Sequence, residues 1–306
     1  MLSFITRRLG RLVLTVFIIS TVIFFVIRVI PGDPARVIAG IDADPDSIAQ
    51  LRDSLGTDRP LAVQYFDWLW DILRFDFGES YFSGEAVMGL MLERFPITLF
   101  LSLLAFAISL LLAIPIGVVS AVRRWTGWDY AGMLFSQLGM AIPSFWLGIL
   151  LLLAFSVNLR LFPLFGADSF RHFVLPALAL AVGRAAFLVR MVRASTIEEL
   201  AREYVVTAES KGLQHRTVVY RHALRNALLP IITLAGIQFG YLLGGSIIVE
   251  QVFSIPGLGR LFLSAIYQRD FPLVQGGVIF IAVAFSLTNF IADILYAVVN
   301  PKIRLS

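Results

Sequence analysis

The sequence predicts an all-α polytopic membrane protein with six transmembrane helices. Of the 306 residues, 58% are hydrophobic and only 15% are charged, and the mean hydropathy is +0.84. A soluble globule of this length would need more polar side chains to cover its surface. The chain also contains repeated apolar runs of the length that crosses the hydrocarbon core of a bilayer.

These runs place the six spans, because about 20 mostly apolar residues cross the core. The predicted spans are Leu12–Ile30, Ile97–Val122, Ala131–Val157, Phe173–Val189, Ala227–Val249 and Leu273–Val299. Arg7, Arg8 and Arg11 precede the first run. That run is too long for a signal peptide and no cleavage site follows it, so it is interpreted as an uncleaved anchor. Pro115 and Pro143 are expected to bend the second and third spans.

The distribution of basic residues predicts the orientation, because lysine and arginine near span ends are retained in the cytoplasm. One face carries Arg7, Arg8, Arg11, Arg123, Arg124, seven basic residues from Arg190 to Arg225, Lys302 and Arg304, whereas the opposite short loops carry Arg160, Arg171, Arg260 and Arg269. Both termini are therefore predicted to be cytoplasmic. The net charge of +4 reflects this retention and does not indicate nucleic-acid binding, since no basic and aromatic pattern outside the spans accompanies it.

Residues 31–95 are predicted to form an extracytoplasmic insert between the first two spans, with twelve acidic residues against five arginines. Asp42–Leu55 has the spacing of a short acidic helix. Pro60–Asp76 has that of an amphipathic helix whose aromatic side chains favour the headgroup zone. Two interpretations are open: the insert meets a substrate-binding protein, or it only seals the outer side.

A charged segment, 195–226, separates the fourth and fifth spans. Ser195 with Glu198, and Thr196 with Glu199, have capping-box spacing, which predicts a helix that begins near Thr196. Its apolar stripe comprises Ile197, Leu200, Ala201, Tyr204, Val205 and Ala208. Gly212 is expected to end the helix with a positive φ. The spacing alone fits a helix lying on the membrane equally well.

The residues of this segment resemble the cytoplasmic loop of ABC importer permeases, in the branch that carries dipeptides, oligopeptides, nickel and glutathione. The resemblance lies in EYVVTAESKGL (203–213) and RHALRNALLP (221–230). Further similar blocks follow the family's order: IPGDPARVIAG (30–40), FDFGES (75–80), AIPIGVVSA (113–121), IPSFWLG (142–148), LVRMVRAS (188–195) and GGSIIVEQVFSIPGLGRL (244–261). Of the general importer loop, which reads Glu-Ala-Ala, three residues, Gly, nine residues and Ile-x-Leu-Pro, only Ala208, Gly212 and Leu224 match here. The peptide branch departs from the pattern in the same way.

The resemblance implies type I ABC importer architecture, with one permease domain over residues 1–306 in a bacterial inner membrane. Implied partners are two ABC ATPase subunits, a second homologous permease in a heterodimer, and an extracytoplasmic substrate-binding protein. The loop would be a coupling helix docked into an ATPase groove, with coupling residues Glu203, Tyr204, Thr207, Ala208, Lys211, Gly212 and Leu213. Its cytoplasmic anchors, at the headgroups or on the motor, would be Arg190, Arg193, Arg221 and Arg225. Small peptides are the expected cargo, with glutathione second and nickel chelates or other small solutes as alternatives.

No cofactor, metal or catalytic residue is expected on this chain. GxxxxGK[ST] is absent, so ATP and Mg²⁺ would bind the partner subunits. There is no cysteine, and the three histidines have no metal-site spacing. A membrane-embedded enzyme and an ion-coupled secondary transporter are the competing classes. The second would need ionisable coupling residues within the membrane, whereas an ATP-driven permease needs a protruding helix for its motor.

Two intramembrane charges, Arg184 and Asp293, are functional candidates because charge at such depth is costly. Arg184 would attract a peptide carboxylate, or pair with Asp293, or reach the membrane surface. The fifth span adds a possible translocation path that packing explains equally well: Gln238, Tyr241, Gly244, Gly245 and Ser246. Beyond it a turn comprises Phe253, Pro256, Gly257 and Gly259. The resemblance suggests an outer gate or a re-entrant scaffold for that turn.

Overall fold

The computed structural model describes residues 2–29, 34–40 and 43–299. Within these ranges the regular elements are helices, joined by turns and loops, and one isolated bridge connects Glu79 and Ala86. Lys302 and Arg304 of the predicted cytoplasmic face, and Asp42, lie outside the described residues. The first helices are α1 (Leu2–Val29), α2 (Pro34–Ala39), α3 (Pro45–Ser54), α4 (Leu61–Leu73), α5 (Val87–Val122), α6 (Gly127–Ala141) and α7 (Ser144–Leu151). The others are α8 (Phe170–Leu200), α9 (Glu203–Ser210), α10 (His215–Thr217), α11 (Leu224–Gly245), α12 (Ile247–Val252), α13 (Leu258–Gln268) and α14 (Phe271–Val299). Leu152–Asn158 and Val218–Ala223 are π-helical.

Five helical stretches among the described residues are long and apolar enough to cross a membrane. They are Thr6–Val29, Val87–Val122, Phe170–Leu200, His215–Gly245 and Phe271–Ile294. The predicted third span is not a single helix, because Gly127–Ala141 and Ser144–Asn158 meet at an angle of 100°. Pro143 has no amide hydrogen to continue the helix and keeps Ile142 extended, at φ −83° and ψ 120°. With the bent pair counted as one span, the predicted number of six is reached.

α8 forms the centre of the bundle, although its sequence gave the shortest predicted span. It packs against α5, α6, α7 and α11, and its inner face is completely buried, with Ala177, Ala181, Ala185 and Leu188 fully shielded from solvent. Small side chains at this face allow neighbouring helices to approach closely.

The insert contains the two predicted helices. Asp42–Leu55 corresponds to α3, whose first turn is capped by the Asp44 carboxylate at 2.9 Å from the Asp46 amide. Pro60–Asp76 corresponds to α4. The Tyr65 and Trp68 rings of α4 lie 5.2 and 5.0 Å from the Phe24 ring of α1. α4 is therefore attached to the outer part of α1 by aromatic contacts.

The predicted helix start at Thr196 is wrong, because α8 continues through it to Leu200. The Ser195 hydroxyl donates to the Ala227 carbonyl at 2.8 Å, and Thr196 is buried. Ser195 is thus used in packing α8 against α11 and does not cap a new helix. The helix breaks at Ala201 and Arg202, where Arg202 is extended (ψ 149°), and α9 begins at Glu203.

Candidate functional site

The first part of the site is α9, a two-turn helix on the loop between α8 and α11. It ends where Gly212 adopts φ +81°, as the sequence predicted. The Gly212 and Leu213 amides donate to the Glu209 and Ala208 carbonyls at 2.9 and 3.4 Å. A side chain at this φ is strained, which explains the glycine.

The inner face of α9 is attached to both neighbouring helices. Val205 is only 3% exposed and packs with Val218 and Ala223 of the π-helical segment. The Tyr204 hydroxyl donates to the Glu199 carboxylate at 2.7 Å and accepts from the Asn226 side chain at 3.2 Å. Tyr204 therefore links α9 to the end of α8 and to the start of α11.

The outer face of α9 is solvent-exposed and has an apolar centre. Its exposed residues are Glu203, Val206, Thr207, Glu209 and Ser210, and Lys211, Gly212 and Leu213 just after the helix are exposed as well. Val206 is 60% exposed and Leu213 is 41% exposed. Val206 was not among the predicted coupling residues. Its apolar side chain lies outside the predicted stripe, which could have indicated an exposed apolar contact. Ala208, predicted among the coupling residues, instead packs on the inner side.

The four predicted anchoring arginines differ in their surroundings. Arg190, Arg221 and Arg225 are exposed. Arg193 instead donates to both oxygens of the buried Asp129 carboxylate, at 2.5 and 2.8 Å. The Trp125 amide donates to the same carboxylate at 3.0 Å. Arg193 is therefore an internal link between α8 and α6 and not the predicted surface anchor.

The second part of the site is a cavity of about 270 Å³ around Arg184. It is lined by Gly139, Met140, Ile142, Ser144, Leu180, Gly183, Arg184, Phe187, Gln238 and Gly245. Arg184 Nη1 donates to Gln238 Oε1 at 3.0 Å, and the guanidinium carbon lies 5.6 Å from the Tyr241 ring centroid. The break in the third span lines the same cavity. A guanidinium, a carboxamide and a bent helix thus meet inside the bundle.

Asp293 does not contribute to this cavity. Its carboxylate forms an ion pair with Arg8 of α1. The predicted alternative that Arg184 pairs with Asp293 is therefore wrong. Among the described residues, the Arg184 guanidinium donates to the neutral Gln238 amide and forms no ion pair with a carboxylate.

The remaining predicted path residues differ in their distance from the cavity and in their burial. Gly245 borders the cavity, and a Cβ added to it would lie 3.5 Å from Arg184 Nη2. Tyr241 is half-exposed and contacts the Phe285 ring, with centroids 5.7 Å apart. Gly244 lies beside Ile281 of α14, and Ser246 is fully buried. The position of Ser246 is structural, which corrects its assignment to the path.

The predicted outer turn is organised around Glu250, which sequence reasoning missed. The Glu250 side chain is fully buried and accepts hydrogen bonds from the Ser246 and Thr98 hydroxyls, both at 2.8 Å. The Gly259 and Arg260 amides donate to its other oxygen at 2.8 and 3.2 Å. Burial raises the pKa of this carboxyl, and the four hydrogen bonds oppose that rise. The carboxyl therefore connects α12, the start of α13 and α5.

The glycines of this turn are required by close approach. A Cβ at Gly257 would lie 2.5 Å from Glu250 Oε2, and one at Gly259 would lie 2.5 Å from the Ile247 Cα. Phe253 is buried in the main core cluster, and Pro256 is partly buried. The turn is therefore a packed scaffold.

Comparison with known proteins adds sequence and fold relationships. Residues 113–305 match the family described as binding-protein-dependent transport system inner membrane component, and residues 1–102 match its N-terminal companion family. The chain is 41% identical over 304 residues to the glutathione transport system permease protein GsiC of Salmonella typhimurium (strain LT2), covering 99% of each chain. It is 40% identical, at the same coverage, to the protein of that name from Escherichia coli (strain K12).

Solved structures show a similar fold at low sequence identity. A chain of the MetNI methionine ABC transporter in an inward-facing conformation superimposes with a TM-score of 0.60 at 19% identity, covering 70% of this chain and 97% of that one. A chain of an amino acid ABC transporter has a TM-score of 0.52 at 19% identity, covering 69% and 92%. These similarities show that the helical architecture described above is shared with chains of these two ABC transporters.

Proposed function

Because this chain belongs to the family of binding-protein-dependent transport system inner membrane components, we propose that it forms one half of the pathway of an ATP-driven importer of small peptides, including glutathione. The glutathione permeases that it resembles over nearly its full length support this cargo class. A second, different permease would complete the pathway, and an extracytoplasmic binding protein would deliver the cargo. ATP and Mg²⁺ would bind to two partner ATPase subunits.

The observation that supports the proposal is the way α9 is attached to the bundle. Its exposed face offers Val206 and Leu213 as apolar contacts for an ATPase groove, with Glu203, Thr207 and Lys211 around them. Its buried face is attached to α8 and α11 through Val205 and Tyr204. A displacement imposed on α9 would therefore reach two spans directly, and rigid-body shifts of packed helices are a known way of switching access.

The Arg184 cavity is proposed as a point on the cargo pathway. The cation lies between the broken third span, α8 and α11, where it donates a hydrogen bond to the carboxamide of Gln238. Small peptides carry a carboxylate, which is a stronger acceptor for guanidinium than an amide is. A passing carboxylate would replace Gln238 at Arg184 while the nearby bend allows the helices to move.

Uptake by the assembled importer, with its binding protein and ATPases in proteoliposomes, tests this role. Arg184→Met should lower uptake of a peptide with a free carboxylate by about 10- to 100-fold, the usual effect of losing a charge-assisted hydrogen bond. The same peptide as its carboxamide should lose much less. Arg190→Met, at an exposed position of the same helix, is the matched control and should affect both peptides alike. Equal losses for the two peptides with Arg184→Met would return Arg184 to a structural role.

A further inference from the structure

A second cavity lies at the predicted cytosolic end of the bundle, outside the site described above. Its volume is about 500 Å³. It is lined by Val118, Val119, Val122, Arg123, Trp128, His215, Arg216, Val219 and Tyr220. These residues come from the last turn of α5, the first turn of α6 and the helical stretch after α9. The cavity shares no lining residue with the Arg184 cavity.

The rim of this cavity is cationic. Arg123 and Arg216 are both exposed, and neither takes part in an ion pair between described side chains. The Arg123 guanidinium lies 5.5 Å from the Trp128 ring centroid, which holds it over the cavity by a cation–π contact. Two guanidinium groups that lack carboxylate partners thus border one opening, an arrangement suited to an anion.

The floor of the cavity is apolar. Val118 and Val219 are 1% and 2% exposed and form the base, whereas Val122 is partly exposed at the side. α5 ends at Val122, which is also the predicted end of the second span, so this floor lies at the predicted cytosolic end of that span. Trp128 and Tyr220 are 61% and 53% exposed at the same level. Exposed aromatic rings at that depth are typical of the bilayer interface.

We propose that this cavity binds an anionic phospholipid of the cytosolic leaflet, with the headgroup phosphate at Arg123 and Arg216 and the first acyl methylenes on the valine floor. The proposal rests on the pairing of a cationic rim with an apolar floor at the membrane boundary. A soluble anion would use only the rim. Basic pockets between membrane helices on the cytosolic side recognise lipid headgroups in this way.

Bound lipid would also be in contact with the support of α9. His215 lines the cavity, and its Nδ1 lies 2.9 Å from the Glu209 carboxylate of α9. A phosphate at Arg216 would lie next to His215 and compete with Glu209 for it. The lipid would therefore affect how α9 is held, independently of what the importer carries.

Native mass spectrometry of the complete importer, released from nanodiscs of phosphatidylglycerol and phosphatidylcholine, tests the proposal. The wild-type complex should retain phosphatidylglycerol in preference to phosphatidylcholine. The double variant Arg123→Gln, Arg216→Gln should bind it about 30-fold more weakly, given the usual contribution of two basic residues at an anionic membrane surface. The conservative pair Arg123→Lys, Arg216→Lys should retain most of the binding, which separates loss of charge from loss of fold.

The matched control is Arg7→Gln with Arg124→Gln, which removes two exposed arginines of the predicted cytoplasmic face outside the cavity. It should retain the wild-type preference. An equal loss in this control would assign the effect to general surface charge and overturn the site. Retention of phosphatidylglycerol by the Arg123 and Arg216 glutamine pair would overturn it as well. Displacement of the lipid by millimolar inorganic phosphate would show a site for free anions, and crosslinking of Trp128 to an ATPase subunit would show a protein occupant; either result contradicts a lipid site.

Discussion

Replacement of Gly212 by valine should uncouple ATP hydrolysis from transport. Gly212 has φ +81°, and a Cβ added there meets nothing within 4 Å. The cost of the valine therefore comes from backbone strain alone, roughly 1–3 kcal/mol for a β-branched residue in the left-handed region. Relief of that strain requires the last turn of α9 to unwind, because the Gly212 and Leu213 amides hold that turn closed.

If the ordered form of α9 is destabilised by about 1–3 kcal/mol, its population relative to the unwound form falls by roughly 5- to 150-fold. We expect coupling to fall by the same factor. Since Gly212 is exposed, insertion and assembly should be unaffected. The assay is the ratio of cargo uptake to ATP hydrolysis in proteoliposomes that contain the complete importer. That ratio should fall strongly in Gly212→Val and only slightly in Gly212→Asn, because asparagine tolerates the left-handed region.

Gly84→Val is the matched control. Gly84 also has a positive φ, +68°, with nothing within 4 Å of an added Cβ, but it lies in the insert and not beside α9. The backbone strain is therefore of the same kind, and the uptake-to-hydrolysis ratio should stay at the wild-type value. An unchanged ratio in Gly212→Val, or an equal loss in Gly84→Val, would refute the reasoning.

Two further predictions concern the scaffold. Asp129→Asn should lower the free energy of unfolding by about 3 kcal/mol, because it leaves the partly buried Arg193 guanidinium without its counter-charge. Glu198→Gln, at an exposed pair, should change the free energy of unfolding by less than about 0.5 kcal/mol. Equal thermal shifts of the two variants in detergent would contradict this. Gly257→Ala should lower the free energy of unfolding by about 1–3 kcal/mol and reduce the yield of folded protein, because the new methyl group would overlap the Glu250 carboxylate. Gly89→Ala, which has open space around the added methyl group, should leave both unchanged. Size-exclusion profiles of the purified variants measure that difference.

The features that the sequence predicted correctly depend on local chemistry. The positive φ of Gly212 follows from the helix end that it closes. α3 and α4 follow from the spacing of residues within each segment, and α3 also has a local cap at Asp44. The apolar runs placed most spans because crossing a bilayer requires length and composition alone.

The features that were missed depend on residues distant in sequence. The capping-box spacing at Ser195 was misleading because its hydroxyl bonds to Ala227 in another helix. Glu250 is organised by Thr98, which is 152 positions away. Pro143 indicated a bend, but a proline alone does not define the size of the bend, which is 100°.

The most direct test of the central claim, that α9 is contacted by the ATPase, uses a single cysteine at its exposed face. The chain contains no cysteine, so Val206→Cys reports on one position only. With a short bifunctional crosslinker, Val206→Cys in the assembled importer should be joined to an ATPase subunit, and the yield should change when ATP is bound. Val205→Cys, on the buried face at 3% exposure, should not react. The claim would be contradicted if Val206→Cys failed to crosslink, or if a membrane-impermeant thiol reagent labelled it from outside intact cells.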